Sequence, residues 1–335
     1  MTQAAIYGCE GLSLTDAEQH FFRDADPWGF ILFARNVNDP AQVAALCAQM
    51  RETVGWDAPI LIDQEGGRVA RLKPPHWRAH PPARVYGTLF ERNQAAGLEA
   101  CRLGTFLIGA ELKALGIDVD CVPLADVPQP GAHDIIGDRA YGETPEQVIA
   151  LARAAATGLE EAGVLPVLKH IPGHGRAGVD SHEALPVVNA DLRSLQEVDF
   201  KPFEALSDLP LGMTAHVVFS ALDDARPATT SETVINIIRH DIGFDGLLMS
   251  DDLSMKALGG PMARRVTESL EAGCDIVLHC NGHMDEMKDV AAATSALTAA
   301  ATLRSESALS RRIPCPTESL KSALHRWDEL LGASA

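Results

Sequence analysis

A short stretch near the middle of the chain carries an unusual number of side chains that can transfer protons. Lys169 and His170 follow the apolar segment 164–168, and the next eight residues contain three glycines and a proline, a composition typical of a loop. The loop leads to Asp180 and His182. A carboxylate two residues before an imidazole can hold one ring nitrogen while the other faces a substrate. This pattern predicts an acid/base histidine on a loop that follows a strand.

Short apolar segments recur along the chain and alternate with stretches of helical periodicity. We count about eight such segments, an order that predicts a parallel sheet covered by helices. Eight strand-helix units predict a (β/α)8 barrel, a TIM-type α/β fold, as a single catalytic domain over residues 1–335. No Gly-x-Gly-x-x-Gly motif follows a strand, which disfavours a dinucleotide-binding sheet.

Residue types that favour helix starts predict where several helices begin. Ser13 is expected to cap the first helix, and Asp39 with Pro40 to begin the second. Asp191 is expected to cap one long helix that reaches about Leu206. These helices would cover the outside of the barrel.

The active site of such a barrel lies at the carboxyl ends of its strands. Ionisable residues are expected at six of these ends: Asp63, Asp120, Lys169 with His170, His216, Asp251 with Asp252, and His279. One polar residue at a strand end is most often a helix cap or a hydrogen-bonding group of a loop. Six strands that end in this way favour a shared polar pocket.

Composition disfavours several classes of partner and compartment. The 28 Lys and Arg against 46 Asp and Glu give a net charge of -18, and no basic run is present, so nucleic acid and anionic membranes are poor partners. The seven cysteines are scattered and never two residues apart, which favours reduced thiols. The first residues lack the basic and apolar regions of a signal peptide, and no stretch has membrane-span length. We therefore expect a soluble, cytoplasmic protein.

Four motifs, in order, resemble the signatures of glycoside hydrolase family 3. They are DQEGGRV at 63–69, KHIPGHG at 169–175, DSH at 180–182 and MSDDLSM at 249–255. Within that family the chain is most similar to the short cytoplasmic bacterial β-N-acetylhexosaminidases of peptidoglycan recycling. The resemblance covers nearly the whole chain and implies the same barrel, without the second sandwich domain of longer members. It also implies no cofactor and no metal.

The resemblance implies a retaining mechanism with named groups. Asp251 would be the nucleophile, since a carboxylate can attack the anomeric carbon and form a covalent glycosyl-enzyme. Asp252 is the alternative, but neighbours on a strand point to opposite faces, so only one of the two is expected to face the pocket. His182, oriented by Asp180, would act as general acid and then as general base.

The same resemblance implies which residues would bind the sugar. They are Asp63, Arg71, Arg139, Lys169 and His170. Such side chains supply the fixed donors and acceptors that a neutral sugar needs. Two alternatives stay open: Asp63 and Lys169 could simply be an ion pair, and Arg139 could be a surface residue. The implied substrate is a small carbohydrate or muropeptide, N-acetylglucosaminyl-1,6-anhydro-N-acetylmuramic acid with or without peptide.

Other functions fit parts of the pattern. His170, His174, Asp180 and His182 could ligate zinc in a metal-dependent hydrolase, but their spacing matches no common zinc motif. A sugar-binding barrel without activity would have lost Asp251 or the Asp180–His182 pair. An imidazole in place of a second carboxylate could also admit phosphate, which would make the protein a phosphorylase. We expect the loop 173–178 to be mobile without substrate and to close on it.

Overall fold

The computed structural model describes residues 2–181, 184–316 and 319–332. Eight parallel strands close into a barrel in the order β1-β10-β9-β7-β5-β4-β3-β2, and β6 and β8 pair outside it. The strands are β1 (Gln3–Tyr7), β2 (Pro27–Leu32), β3 (Ile60–Ile62), β4 (Val119–Asp120), β5 (Leu165–Ile171), β6 (Val187–Val188), β7 (Leu211–Thr214), β8 (Val218–Phe219), β9 (Leu247–Asp252) and β10 (Ile276–His279). The predicted (β/α)8 barrel is confirmed.

Helices follow the barrel strands along the chain. Within the described ranges they are α1 (Asp16–Ala25), α2 (Pro40–Val54), α3 (Ala83–Arg92), α4 (Gln94–Ala114), α5 (Pro145–Glu161), α6 (Leu192–Ser194), α7 (Lys201–Ala205), α8 (Glu232–His240), α9 (Met262–Ala272), α10 (Met284–Ala293), α11 (Ala299–Leu309) and α12 (Leu320–Gly332). None of the helices in the described part of the chain combines the length and apolar character needed to cross a bilayer.

The apolar strands are buried on both faces, and their side chains divide between two layers. On β2, Phe30 and Leu32 belong to a large cluster shared with helix residues such as Leu46 of α2. Ile31, which lies between them, belongs to a second cluster with Leu61 of β3 inside the barrel. This alternation explains why the strands read as continuous apolar runs, since neither face meets water.

Two of the predicted helix starts need correction. Thr15, not Ser13, caps α1, because its side chain accepts from the N–H of Glu18 while the Glu18 carboxylate accepts from the N–H of Thr15. This reciprocal capping box is stronger than a lone serine two residues earlier. Asp39 caps α2 with Pro40 in the first turn, as predicted.

The single helix predicted from Asp191 to Leu206 is wrong. Asp191 does cap α6, but the chain then forms a π-helical turn, Leu195–Asp199, before α7. Pro202 lies in the first turn of α7. Because proline has no N–H to donate, it fits the first turn of a new helix and not the interior of a continuous one.

The strand β5 is longer than the apolar segment that predicts it. Its buried residues include Lys169, His170 and Ile171, so the cation and the imidazole lie within the strand and not after it. The loop that follows returns to β6, where Val187 is in register with Val218 of β8. This two-stranded pair holds the far end of the loop beside the barrel.

Candidate active site

A cavity of about 260 Å³ opens at the carboxyl ends of the barrel strands. The predicted residues that line it are Asp63, Arg71, Arg139, Lys169, His170 and Asp251. Ser181 also borders the cavity, whereas its neighbour Asp180, in the described part of the chain, does not. His182 lies outside the described residues. The structure thus brings together six of the eight residues that are predicted to act in catalysis or sugar binding.

Lys169 is the buried cation at the centre of this cavity wall. Its Nζ lies 3.0 Å from Oδ1 of Asp63 and 2.7 Å from Oε1 of Glu65, and its side chain is only 2% exposed. Burial alone would lower the pKa of Lys169, but Glu65 and Asp63 outweigh it and raise the pKa above its usual range. The proposed ion pair of Asp63 and Lys169 therefore exists, inside a larger network that faces the cavity.

Arg139 is held by a two-pronged contact with Glu65. Its Nε and Nη2 each donate to a carboxylate oxygen of Glu65 at 2.8 Å, the geometry that makes guanidinium-carboxylate pairs strong. The Arg139 side chain is 11% exposed, so its interpretation as a surface residue is wrong. Burial would raise the pKa of Glu65, but Arg139 and Lys169 lower it to about 2. Glu65 is therefore ionised at neutral pH.

Arg71 binds the other oxygen of Asp63. Its Nη2 lies 3.0 Å from Oδ2 of Asp63, and its guanidinium lies over the ring of Phe33, 5.1 Å from the centroid. The Arg71 Nε is buried and has no hydrogen-bond partner among the described residues. Burial would raise the pKa of Asp63, but Lys169 and Arg71 hold it below its usual range. Asp63 is thus a fixed, charged acceptor.

His170 is oriented by a carboxylate that the sequence analysis does not assign. Its Nδ1 lies 2.8 Å from Oδ2 of the fully buried Asp126, which leaves Nε2 for the cavity. Burial would raise the pKa of Asp126, but the His170 ring outweighs it and lowers the pKa. The other oxygen of Asp126 accepts from the backbone N–H of His174 at 2.6 Å. One carboxylate therefore fixes both a cavity histidine and the start of the following loop.

Asp251 and Asp252 both border the cavity, which corrects the expectation that only one of them could. The register between β9 and β10 shifts, because Met249 pairs with Ile276 while Asp252 pairs with Leu278. An extra residue in β9 therefore disturbs the alternation of side chains.

The two carboxylates nevertheless differ in their surroundings. Asp252 accepts hydrogen bonds from the backbone N–H and the hydroxyl of Ser254 and from the N–H of Cys280, at 3.0, 2.5 and 3.1 Å. Asp251 accepts from the N–H of Asp252 at 2.8 Å. Asp252 thus serves the loop after β9, whereas Asp251 is the carboxylate that the family resemblance implies as the nucleophile.

The other ionisable strand ends have structural roles. Asp120 is fully buried and accepts from the N–H of Gln64 at 2.9 Å, and burial raises its pKa well above the usual range. His216 bridges the Thr229 hydroxyl and the carbonyl of Asp252, and His279 contacts Glu286. The ionisable residues at the ends of these strands therefore act as hydrogen-bonding groups of the structure, as is usual for a polar residue at a strand end.

The loop after β5 is held in place at Arg176 and at His174. Arg176 donates from Nε to Asp199 at 2.7 Å, and burial raises the pKa of Asp199 to about 6 although Arg176 opposes the shift. His174 is buried beside His170, and burial together with that neighbour lowers the pKa of His174 to about 4. His174 is therefore neutral at neutral pH.

No cluster of three or more His, Cys, Asp or Glu side chains within residues 2–181, 184–316 and 319–332 has the geometry to hold a metal ion. All seven cysteines are free thiols, six of them buried.

Known proteins resemble this chain over nearly all of its length. The model of the glycosyl hydrolase family 3 N terminal domain matches residues 12–311. A β-hexosaminidase of Methylococcus capsulatus is 40% identical over 280 residues, 82% of this chain and 82% of that protein. Native NagZ from Neisseria gonorrhoeae superposes with a TM-score of 0.89 at 30% identity, covering 100% of this chain and 98% of that one. Its complex with N-trifluoroacetyl-D-glucosamine gives 0.88 at 29% identity, with the same coverage.

Proposed function

The chain belongs to glycosyl hydrolase family 3 and is a β-hexosaminidase that hydrolyses β-linked N-acetylglucosamine, and we propose that its substrates are muropeptides. The proposed site is supported above all by a network of charged side chains in the cavity that Asp251 also lines. There Lys169, Arg139 and Arg71 meet Asp63 and Glu65 on one wall of the cavity. In a cavity of about 260 Å³ this wall offers fixed donors and acceptors to one sugar ring.

We infer that the sugar is bound through this network. Asp63, which is held ionised by Lys169 and Arg71, would accept from sugar hydroxyls. The Nε2 of His170, which the contact of Nδ1 with Asp126 leaves for the cavity, would donate to or accept from the ring substituents. Because these groups are fixed before the sugar arrives, binding costs little side-chain entropy.

In the first proposed step the Asp251 carboxylate attacks the anomeric carbon of the N-acetylglucosaminyl unit. The bond to the aglycone oxygen breaks, and His182 donates a proton to that oxygen. In the second step His182 takes a proton from water, and the water oxygen displaces Asp251 with overall retention of configuration. Asp180 would orient the imidazole and favour its protonated form.

The proposed physiological substrate is N-acetylglucosaminyl-1,6-anhydro-N-acetylmuramic acid, with or without its peptide, in cytoplasmic peptidoglycan recycling. The four family motifs support this branch of the family. The proposed sugar would occupy the cavity of about 260 Å³, whose wall includes Arg68 with a side chain that is 44% exposed. The aglycone and any peptide would therefore leave the cavity past this rim.

The test is release of nitrophenol from 4-nitrophenyl N-acetyl-β-D-glucosaminide in phosphate-free buffer with a chelator. Wild type should be active, and Asp251→Ala should lose a factor of about 10⁴ or more. Asp285→Ala, which removes a fully exposed carboxylate, is the matched control and should keep full activity. Proton NMR should show the β-anomer of N-acetylglucosamine as the first product.

Three results would contradict the assignment. Activity that appears only with added phosphate would make the protein a phosphorylase, and activity that needs a divalent metal would indicate a metal-dependent hydrolase. An unchanged rate in Asp251→Ala would remove the proposed nucleophile. For the substrate, a kcat/KM on the anhydro-muropeptide no higher than on N,N′-diacetylchitobiose would contradict the assignment to recycling.

A further inference from the structure

Ser181 links two loops at the edge of the cavity, although its own position in the sequence suggests only a spacer between Asp180 and His182. It is 4% exposed, and its Oγ lies 3.3 Å from Nε2 of His174. Its carbonyl oxygen accepts from the N–H of Ala257 at 3.2 Å. A surface spacer would make neither contact.

The His174 side of this link is itself immobilised. The backbone N–H of His174 donates to Asp126, the same carboxylate that holds His170. The His174 ring is buried, and it is neutral because its pKa is lowered to about 4 by burial and by His170. A neutral imidazole beside a hydroxyl makes one directional hydrogen bond without a change of charge. The hydroxyl of Ser181 thus contacts a residue whose backbone is held by the same carboxylate that orients His170.

The Ala257 side of the link leads to the end of β9. Ala257 belongs to the loop in which Ser254 caps the carboxylate of Asp252 and the N–H of Met255 donates to the Asp252 carbonyl. Asp252 is adjacent to Asp251. The Ser181 carbonyl is therefore fixed, through one short loop, relative to the proposed nucleophile.

We propose that Ser181 is a positioning residue for the acid/base step: its hydroxyl on His174 and its carbonyl on Ala257 hold the backbone of Ser181, the residue that directly precedes His182 in the chain, between the loops after β5 and β9. This inference rests on the proposed function, because it assumes that His182 transfers the proton. Ser181 itself touches no reacting atom. It acts through the segment that it fixes between the loops after β5 and β9.

A positioning role can be separated from a merely structural one by the leaving group. An aglycone such as 2,4-dinitrophenolate leaves without a proton, so misplacing the general acid hardly affects its release. An alkyl or sugar aglycone needs the proton. A variant that only loosens the fold would slow both substrates equally.

The experiment compares Ser181→Ala and Ser181→Thr with wild type, using 2,4-dinitrophenyl N-acetyl-β-D-glucosaminide and N,N′-diacetylchitobiose. Ser181→Ala should lower kcat/KM on the disaccharide about tenfold and on the dinitrophenyl substrate less than about twofold. Ser181→Thr keeps the hydroxyl and should recover most of the loss on the disaccharide. Ser220→Ala, which removes a hydroxyl that binds Val188 at the far end of the same loop, is the control and should leave both rates unchanged.

A second variant tests the same contact from the His174 side, and by itself it should show the same selective loss on the disaccharide even if Ser181→Ala folds poorly. His174→Gln removes the other partner, and the double variant should lose no more on the disaccharide than the larger single loss, because both act in one contact. Equal losses on the two substrates, additive losses in the double variant, or no loss in Ser181→Ala would overturn the positioning role. A wild type that cleaves neither substrate would instead contradict the proposed function.

Discussion

Oε1 of Glu65 lies 2.7 Å from Nζ of Lys169 and 2.8 Å from Nη2 of Arg139, so that one buried carboxylate oxygen is shared by two cations. Lys169 comes from β5 and Arg139 from the 3₁₀ turn Gly137–Arg139. Glu65 thus holds two separate elements at fixed positions around the cavity.

Glu65→Gln should therefore damage both stability and binding. The substitution leaves two buried cations with one charge partner fewer, and breaking such a pair costs about 3–5 kcal/mol. Urea unfolding should show that loss, and KM should rise in any fraction that folds. Glu143→Gln, which removes the exposed partner of Arg84, is the matched control, with an expected change of less than about 1 kcal/mol. Equal unfolding free energies for Glu65→Gln and wild type would contradict the shared-carboxylate role.

Asp251→Asn and Asp252→Asn should separate chemistry from loop structure. Asp252 accepts three hydrogen bonds from Ser254 and Cys280, so its amide variant should lose about 2 kcal/mol of unfolding free energy as the donors lose their acceptor. Asp251→Asn should lose activity by about 10⁴ or more with little loss of stability. Thermal melts and nitrophenol release check both expectations. The reverse pattern, with the greater loss of activity in Asp252→Asn, would exchange their roles.

Asp120→Asn should be nearly silent at neutral pH. Burial raises the pKa of Asp120 well above its usual range, which favours the neutral acid in the folded protein. An amide of the same shape keeps an oxygen for the N–H of Gln64. Because the folded pKa is raised, the acid adds stability at low pH that is lost as pH rises. The unfolding free energy of Asp120→Asn relative to wild type should thus improve from pH 5 to pH 9. A large loss at pH 9 would mean that Asp120 is ionised.

Protonation of His174 should lower the free energy of unfolding in mildly acidic solution. Its folded pKa of about 4 lies below the usual value of 6.5, so its stabilising effect is complete above pH 6.5 and is lost as pH falls toward 4. The full difference amounts to about 3 kcal/mol. His174→Gln should remove this part of the pH dependence, measured by urea unfolding at pH 7.5 and pH 5. His240→Gln changes an exposed histidine and should leave the pH dependence as in wild type.

The barrel and most of the cavity wall could be predicted from sequence because they depend on local patterns. Lys169, His170 and Asp63 follow or end apolar strands, and parallel strands of a barrel bring such ends together. Sequence patterns predict no role for Glu65 or Asp126, because their partners Arg139 and His170 lie 74 and 44 residues away along the chain. The motif that contains Glu65 can be recognised in the sequence, but no neighbouring residue indicates which cation binds the glutamate.

Irregular backbone geometry is the second kind of feature that the sequence does not predict. The extra residue in β9 that brings both Asp251 and Asp252 to the cavity leaves no trace in residue types. The π-helical turn before Lys201 interrupts a segment whose helical periodicity looks continuous, although Pro202 marks the restart. Both features arise from packing against elements distant in the chain, which single-sequence patterns do not record.

The small β6–β8 pair fixes the far end of the loop after β5, so that this loop is held at both of its ends. One end continues a barrel strand, and the other is held by backbone hydrogen bonds from Val218 and Ser220, which depend little on side-chain type. Between these attachments, Gly178 and Val179 are exposed. Substitutions or small insertions at this outer part of the loop should therefore leave the barrel undisturbed.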